Sequence, residues 1–263
     1  MSSSKILFFS LILLIPTFAQ SPYSFDLDNE AILYGTGISL AILENELLKQ
    51  REPITIEGLN SISKSNLNSF DKIATYNWSP TANTISDVLL VVTIASPLFL
   101  LTSSDVHNDI GTYTNMFIQN AIFSYSLTYL AKSTLYRLRP YVYNPDVPTE
   151  EKLTKGSTLS FFSGHSTMAF SSAIFLSTMF QKYFPNSKFT PYIWGTSLVC
   201  ASIVGYLRIY SGQHFPSDVI TGAIVGSLVG YLIPLIHENR KDKLESLPFK
   251  IHTNNIFSIK INF

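Results

Sequence analysis

Five long stretches of this 263-residue chain contain no Asp, Glu, Lys or Arg: Val88 to Ser104, Ile110 to Ala131, Ser166 to Gln181, Phe189 to Leu207 and Val219 to Ile236. Each approaches the roughly 20 residues that a helix needs to cross the hydrocarbon core of a bilayer. Lipid offers the backbone no hydrogen-bond partners, so segments of this kind satisfy their own N–H and C=O groups as helices. Hydrophobic residues are 46% of the chain and charged residues only 14%, against roughly 25% charged in soluble domains. The expected fold class is therefore all-α, a multi-span transmembrane helical bundle, with a soluble helical bundle as the competing reading. The length suits one medium domain.

The stretches are not uniformly apolar. Ile110 to Ala131 carries Tyr113, Asn115, Gln119, Asn120 and Ser126, which implies one face packed on protein. Gly222, Gly226 and Gly230 recur every four residues, a stripe along which a second helix, internal or in a dimer, can approach closely; oligomeric state is left open. Ala31 to Lys49, with Glu44 and Glu46 in its second half, reads as an amphipathic helix lying at the interface. Residues 51–83 read as a polar extracytoplasmic connection. Lys5, the apolar run Ile6 to Pro16 and Ala19 fit a signal peptide or an uncleaved anchor. Phe249 to Phe263 reads as a short strand or a disordered tail. The expected organisation is 1–19 signal or anchor, 20–83 extracytoplasmic or interfacial, 84–236 membrane catalytic domain and 237–263 cytoplasmic tail.

An exported start and five spans put residues 132–165 and Arg208 to Asp218 outside. Lys182 to Lys188 and Arg240 to Lys243 then fall inside, as the positive-inside bias asks.

Charge excludes one class of partner. Lys and Arg total 18, as do Asp and Glu, so no basic field for nucleic acid exists and any anion site is built locally. Cys200 cannot form an internal disulfide and reads as a small buried apolar residue. His107, His237 and His252 read as surface or tail histidines.

Polar residues cluster between the apolar stretches in three places: Lys132 with Arg139-Pro140, Ser163-Gly164-His165, and Arg208 with His214 and Asp218. A helix start at Ser163-Gly164 presents free backbone N–H groups and a positive dipole end, and glycine permits close approach of an anion. Pro216 places His214 at the entrance to the last span. Asp218 lies about one turn on, near enough to orient one ring nitrogen while the other faces substrate. The planar fork of Arg208 suits two phosphoryl oxygens. Arg137 lies close to Arg139 but has no assigned place in the site.

The three-part spacing, Lys132 with six residues before Arg139-Pro140, then Ser163-Gly164-His165, then Arg208 with five residues before His214 and three before Asp218, resembles the type 2 phosphatidic acid phosphatase (PAP2) superfamily. That superfamily also holds class A acid phosphatases, glucose-6-phosphatase and vanadium haloperoxidases. Phe162 stands where the family usually has proline, and Leu207 where it usually has serine. The resemblance implies that His214 attacks phosphorus, Asp218 orients it and His165 protonates the leaving alcohol. Lys132, Arg139, Ser163, Gly164 and Arg208 would bind the phosphate, with no metal and no cofactor. The implied substrate is a phospholipid or isoprenoid-lipid phosphate or pyrophosphate. The expected location is the outer face of a bacterial-type cytoplasmic membrane. Soluble phosphate esters, or halide oxidation with vanadate, are the alternatives.

Overall fold

The computed structural model describes residues 21–239, 249–250 and 260–261. Six long helices build the bundle: α1 (Leu27–Lys49), α2 (Pro80–Ala95), α3 (Ile110–Thr134), α4 (Gly164–Tyr183), α5 (Thr190–Tyr210) and α6 (Pro216–His237). Several starts follow from local chemistry. The side chains of Asp26, Ser79 and Ser163 accept hydrogen bonds from first-turn N–H groups of α1, α2 and α4. Pro191 and Pro216 occupy first turns of α5 and α6, where a missing N–H costs nothing.

Helix α4 is the hub, packed against α2, α3, α5 and α6. The glycine stripe explains its closest contact. A Cβ on Gly222 would stand 2.6 Å from Ser163 O, and Cβ atoms on Gly226 and Gly230 would run into the carbonyls of Thr167 and Ser171. The stripe is consumed inside the subunit. It brings the start of α6 against the start of α4, where Ser163 N donates to Asp218 O at 3.1 Å.

Helices α1, α5, α6 and α2 with its continuation to Thr102 are long and apolar enough to cross a membrane. Helices α3 and α4, also expected to span, are more polar because they are interior: Gln119, Asn120, Ser124 and Thr128 on α3 and Ser166, Thr167, Ser171 and Ser172 on α4 are all buried.

Helix α1, expected at the interface, is long and apolar enough to cross a membrane. It lies along α3 in the same direction: Asn115 donates to Glu30 near its start, and Arg51, just past its end, donates to the carbonyls of Lys132 and Ser133. Its acidic residues differ in environment, with Glu46 exposed and paired with Lys49. Glu30 takes Asn115 and Gln119 and meets His237 Nε2 at 2.9 Å, and Glu44 is buried. His237 is thus a core residue, 2% exposed, not a surface histidine. His107 is exposed. Cys200 is exposed because the packed face of α5 runs through Ser197, Ala201, Val204 and Arg208.

With α1 counted, six helices separate residue 21 from residue 239, and the two ends meet. Ser24 N donates to His237 O, Asn239 N to Pro22 O and Asn239 Nδ2 to Ser21 O. Residue 21 and the start of α6 therefore sit at opposite ends of the bundle. The five-span expectation put residue 21 and Arg208–Asp218 on one face, whereas the structure puts them at opposite ends of the bundle. The 1–19 segment, Arg240 to Lys243 and His252 lie outside the described residues. In the tail, Phe249–Lys250 pairs antiparallel with Lys260–Ile261, the strand alternative.

Candidate active site

All eight residues of the three clusters gather at one end of the bundle. His214 stands in the turn between α5 and α6, 1% exposed. The turn is made by Gly212, whose φ of 73° favours glycine and whose missing Cβ leaves room for Asn77 O. Tyr141 N donates to Gly212 O at 3.0 Å and His214 N to Arg208 O at 3.1 Å. Asp218, fully buried, is the third residue of α6, and its Oδ2 accepts from Phe215 N at 2.9 Å as half of a capping box. The same oxygen takes Ser160 Oγ at 2.6 Å and faces His214 Nδ1 at 3.6 Å. A closure of a few tenths of an ångström makes that pair a hydrogen bond, and such contacts tighten when substrate binds.

Burial, then the positive charges of Lys132, Arg139 and Arg208, holds the His214 imidazole well below its ordinary 6.5. The ring is neutral at physiological pH and has a lone pair to give. His214 Nδ1 and Arg208 Nε are buried without partners. Arg208 spends its NH1 on Asn83 Oδ1 at 2.6 Å and Ser86 Oγ at 3.0 Å. Lys132 Nζ donates to Leu159 O at 2.6 Å. Arg139 donates to Gly156 O and Gln213 Oε1. Lys132 and Arg208 are 5% and 4% exposed, so these cations are desolvated donors whose shortest bonds go to neutral carbonyl and hydroxyl oxygens. An arrangement of that kind suits a spread anionic charge.

The Ser163 hydroxyl accepts from Ser166 N at 3.3 Å and Ser166 Oγ at 3.0 Å, which leaves its own proton free. Gly164 and His165 open α4, where N–H groups lack helical partners. His165 Nε2 lies 2.7 Å from Asp87 Oδ1. Asp87 itself is half-exposed near the middle of α2 and lies 3.4 Å from Arg208 NH1.

Residues 114–242 match the family model described as PAP2 superfamily. That segment, just under half of the chain, is similar to the superfamily. Relatives include a lipid A 4'-phosphatase of Porphyromonas gingivalis, 38% identical over 79 residues, which are 30% of this chain and 30% of that protein. A lipid A 4'-phosphatase of Bacteroides thetaiotaomicron is 30% identical over 115 residues, 42% of this chain and 47% of that one. The chain thus spans less than half the length of either. The crystal structure of a transmembrane PAP2 type phosphatidylglycerolphosphate phosphatase from Bacillus subtilis superposes with a TM-score of 0.45 at 23% identity, over 75% of this chain and 93% of the other.

The PAP2 segment contains every residue singled out in the three clusters, but not the whole constellation. Asn83, Ser86 and Asp87 precede it and reach the cluster from α2. Arg137 lies inside it and donates to Asp218 Oδ1. Asp87 borders the first charge-free stretch, a weak signal that sequence reasoning passed over. Nothing in the local sequence marks Ser160 or Gln213.

Proposed function

We propose that the chain is a PAP2 phosphatase that removes phosphate from a lipid phosphate or pyrophosphate at a membrane surface through a phosphohistidine on His214. The observation that carries this reading is a neutral, buried His214 backed by Asp218 and surrounded by the fixed cations Lys132, Arg139 and Arg208.

In the first step His214 Nε2 gives its lone pair to phosphorus as the bond to the leaving oxygen breaks, and His165 delivers a proton to that oxygen. The imidazolium so formed is stabilised by Asp218 at Nδ1. In the second step water attacks phosphorus, the P–N bond breaks and His165 takes the proton from water. An alkoxide leaves poorly without that acid. Lys132, Arg139, Arg208, the Ser163 hydroxyl and the Gly164 N–H hold the equatorial oxygens, and such positioning and charge stabilisation account for most of phosphoryl-transfer catalysis. The protein's own cations supply the charge that a metal supplies elsewhere.

The apolar helices α2, α5 and α6 beside the cluster favour a substrate delivered from the bilayer. Relatives named lipid A 4'-phosphatases make a phosphorylated lipid headgroup the first candidate. We place the site on the outer face of a bacterial-type cytoplasmic membrane, which puts residue 21 and the Lys182 and Lys188 end inside.

The test is inorganic phosphate release by the detergent-solubilised protein from a panel of lipid phosphates in EDTA, beside His214→Ala. Release that survives EDTA and falls by on the order of 10⁴-fold in the variant is expected. Release that EDTA abolishes, or that persists in His214→Ala, overturns the mechanism.

A further inference from the structure

Arg137 and Asp71 belong to no part of the three-cluster pattern, yet among the described residues they form a densely bonded charge group. Arg137 NH1 donates to Asp218 Oδ1 and to Ser217 Oγ at 3.0 Å. Its NH2 donates to Asp71 Oδ2 at 2.8 Å. Asp71, 1% exposed, also accepts from Ser217 N at 3.0 Å, Ser217 Oγ at 2.7 Å and Asn68 Nδ2 at 2.9 Å. The guanidinium lies over the Phe215 ring, 4.5 Å from its centroid.

We propose that Arg137, locked by Asp71, is the positioning residue that aims Asp218 at His214 in the phosphoryl-transfer site. The inference rests on the phosphatase reading above. A fully buried carboxylate needs a partner for each oxygen. The Asp218 Oδ2 side is filled by Ser160, Phe215 N and the facing His214 ring, so Oδ1 depends on Arg137. The planar fork reaches two carboxylates from a single rigid group, which an ammonium cannot reproduce. One guanidinium between two carboxylates also leaves one net negative charge beside His214, where the imidazolium develops. Asp71 comes from the short helix Ser69–Lys72 and caps Ser217 on α6. The polar 51–83 connection is thereby part of the catalytic architecture and not merely a link between helices.

Burial raises the Asp71 carboxyl, but the Ser217 N–H, the Asn68 amide, the Ser217 hydroxyl and the Arg137 charge outweigh it and hold the group below its ordinary range. The anchor for Arg137 therefore stays ionised.

The experiment reads the His214 ring directly. ¹⁵N-histidine NMR of the full chain in detergent, with the His214 signals assigned by their loss in His214→Ala, is expected to show the Nδ1–H tautomer in the wild type. Arg137→Gln and the milder Arg137→Lys and Asp71→Asn should shift it towards Nε2–H. An unchanged tautomer in all three variants overturns the inference, whatever the activity. In parallel, Arg137→Lys should lower kcat about tenfold or more with KM within about twofold, for aryl and alkyl phosphates alike. In an Asp218→Asn background Arg137→Gln should cost less than about twofold further, since it acts through Asp218. Equal costs in both backgrounds indicate a merely structural arginine and also overturn it. A wild type that turns over no phosphate ester defeats the phosphatase reading, while the tautomer result still decides the role of Arg137.

Discussion

His214 and His165 are both imidazoles in one cluster, and their surroundings differ. His214 is sealed among cations, with its Nδ1 facing a carboxylate. His165 is partly exposed, with Nε2 against Asp87. If His165 is the acid and Asp87 its support, His165→Ala should slow alkyl phosphates about a hundredfold or more and aryl phosphates far less, because a phenolate leaves without help. Asp87→Asn should show the same preference in weaker form, and equal losses on both substrates would remove the acid from His165. The pH profile follows from His214. Its folded value lies below 6.5, so the nucleophile stays neutral through pH 6.5 and is lost only as the pH falls through the lowered value. The acid limb of kcat/KM for an aryl phosphate should lie well below 6.5, and a limb centred at 6.5 would show a solvated ring. The same shift makes the contribution of unprotonated His214 to stability complete above 6.5 and lost below it.

Helix α6 carries two patterns on one element, the first-turn Asp218 and the Gly222, Gly226 and Gly230 stripe. The stripe sets the depth at which α6 meets α4, and so the distance from Asp218 to Ser163. Gly226→Ala places a methyl against the Thr167 carbonyl. Overpacking of this kind costs about 1–3 kcal/mol or more, and here the backbone of α4 cannot swing aside as a side chain does. The expected outcome is a lower melting temperature together with loss of phosphate release. At Gly35, where a Cβ meets nothing within 4 Å, alanine should leave both unchanged. Sequence spacing made the stripe visible, but not its partner. Helix α1 shows the converse: Glu44 and Glu46 read as marks of an interfacial helix, and only the tertiary contacts of Asn115, Gln119 and His237 make Glu30 acceptable inside.

Over the whole molecule, six helices return the chain to the end at which residue 21 lies, with the candidate site at the other. With Cys200 changed to serine, a cysteine at Glu150 near the site should react with an impermeant thiol reagent in intact spheroplasts. One at Asn186, at the opposite end, should react only after lysis. The reverse pattern turns the site to the cytoplasm and agrees with an exported residue 21. What the sequence by itself determined was the helical class and the eight residues of the candidate site, because charge-free runs and the spacing of Lys132, Arg139, Ser163, Gly164, His165, Arg208, His214 and Asp218 are local properties of the chain. The tertiary structure decided that Asp71, Asp87 and Arg137 join them, that His237 and Glu30 are interior, that Cys200 faces outward and that α1 traverses the bundle. The places of Asp71, Asp87, Arg137, Glu30 and His237 depend on which side chain from a distant segment meets a buried charge. A buried charge is tolerated only where such a partner arrives, and the partner's position is a property of the packed helices, not of its neighbours in sequence.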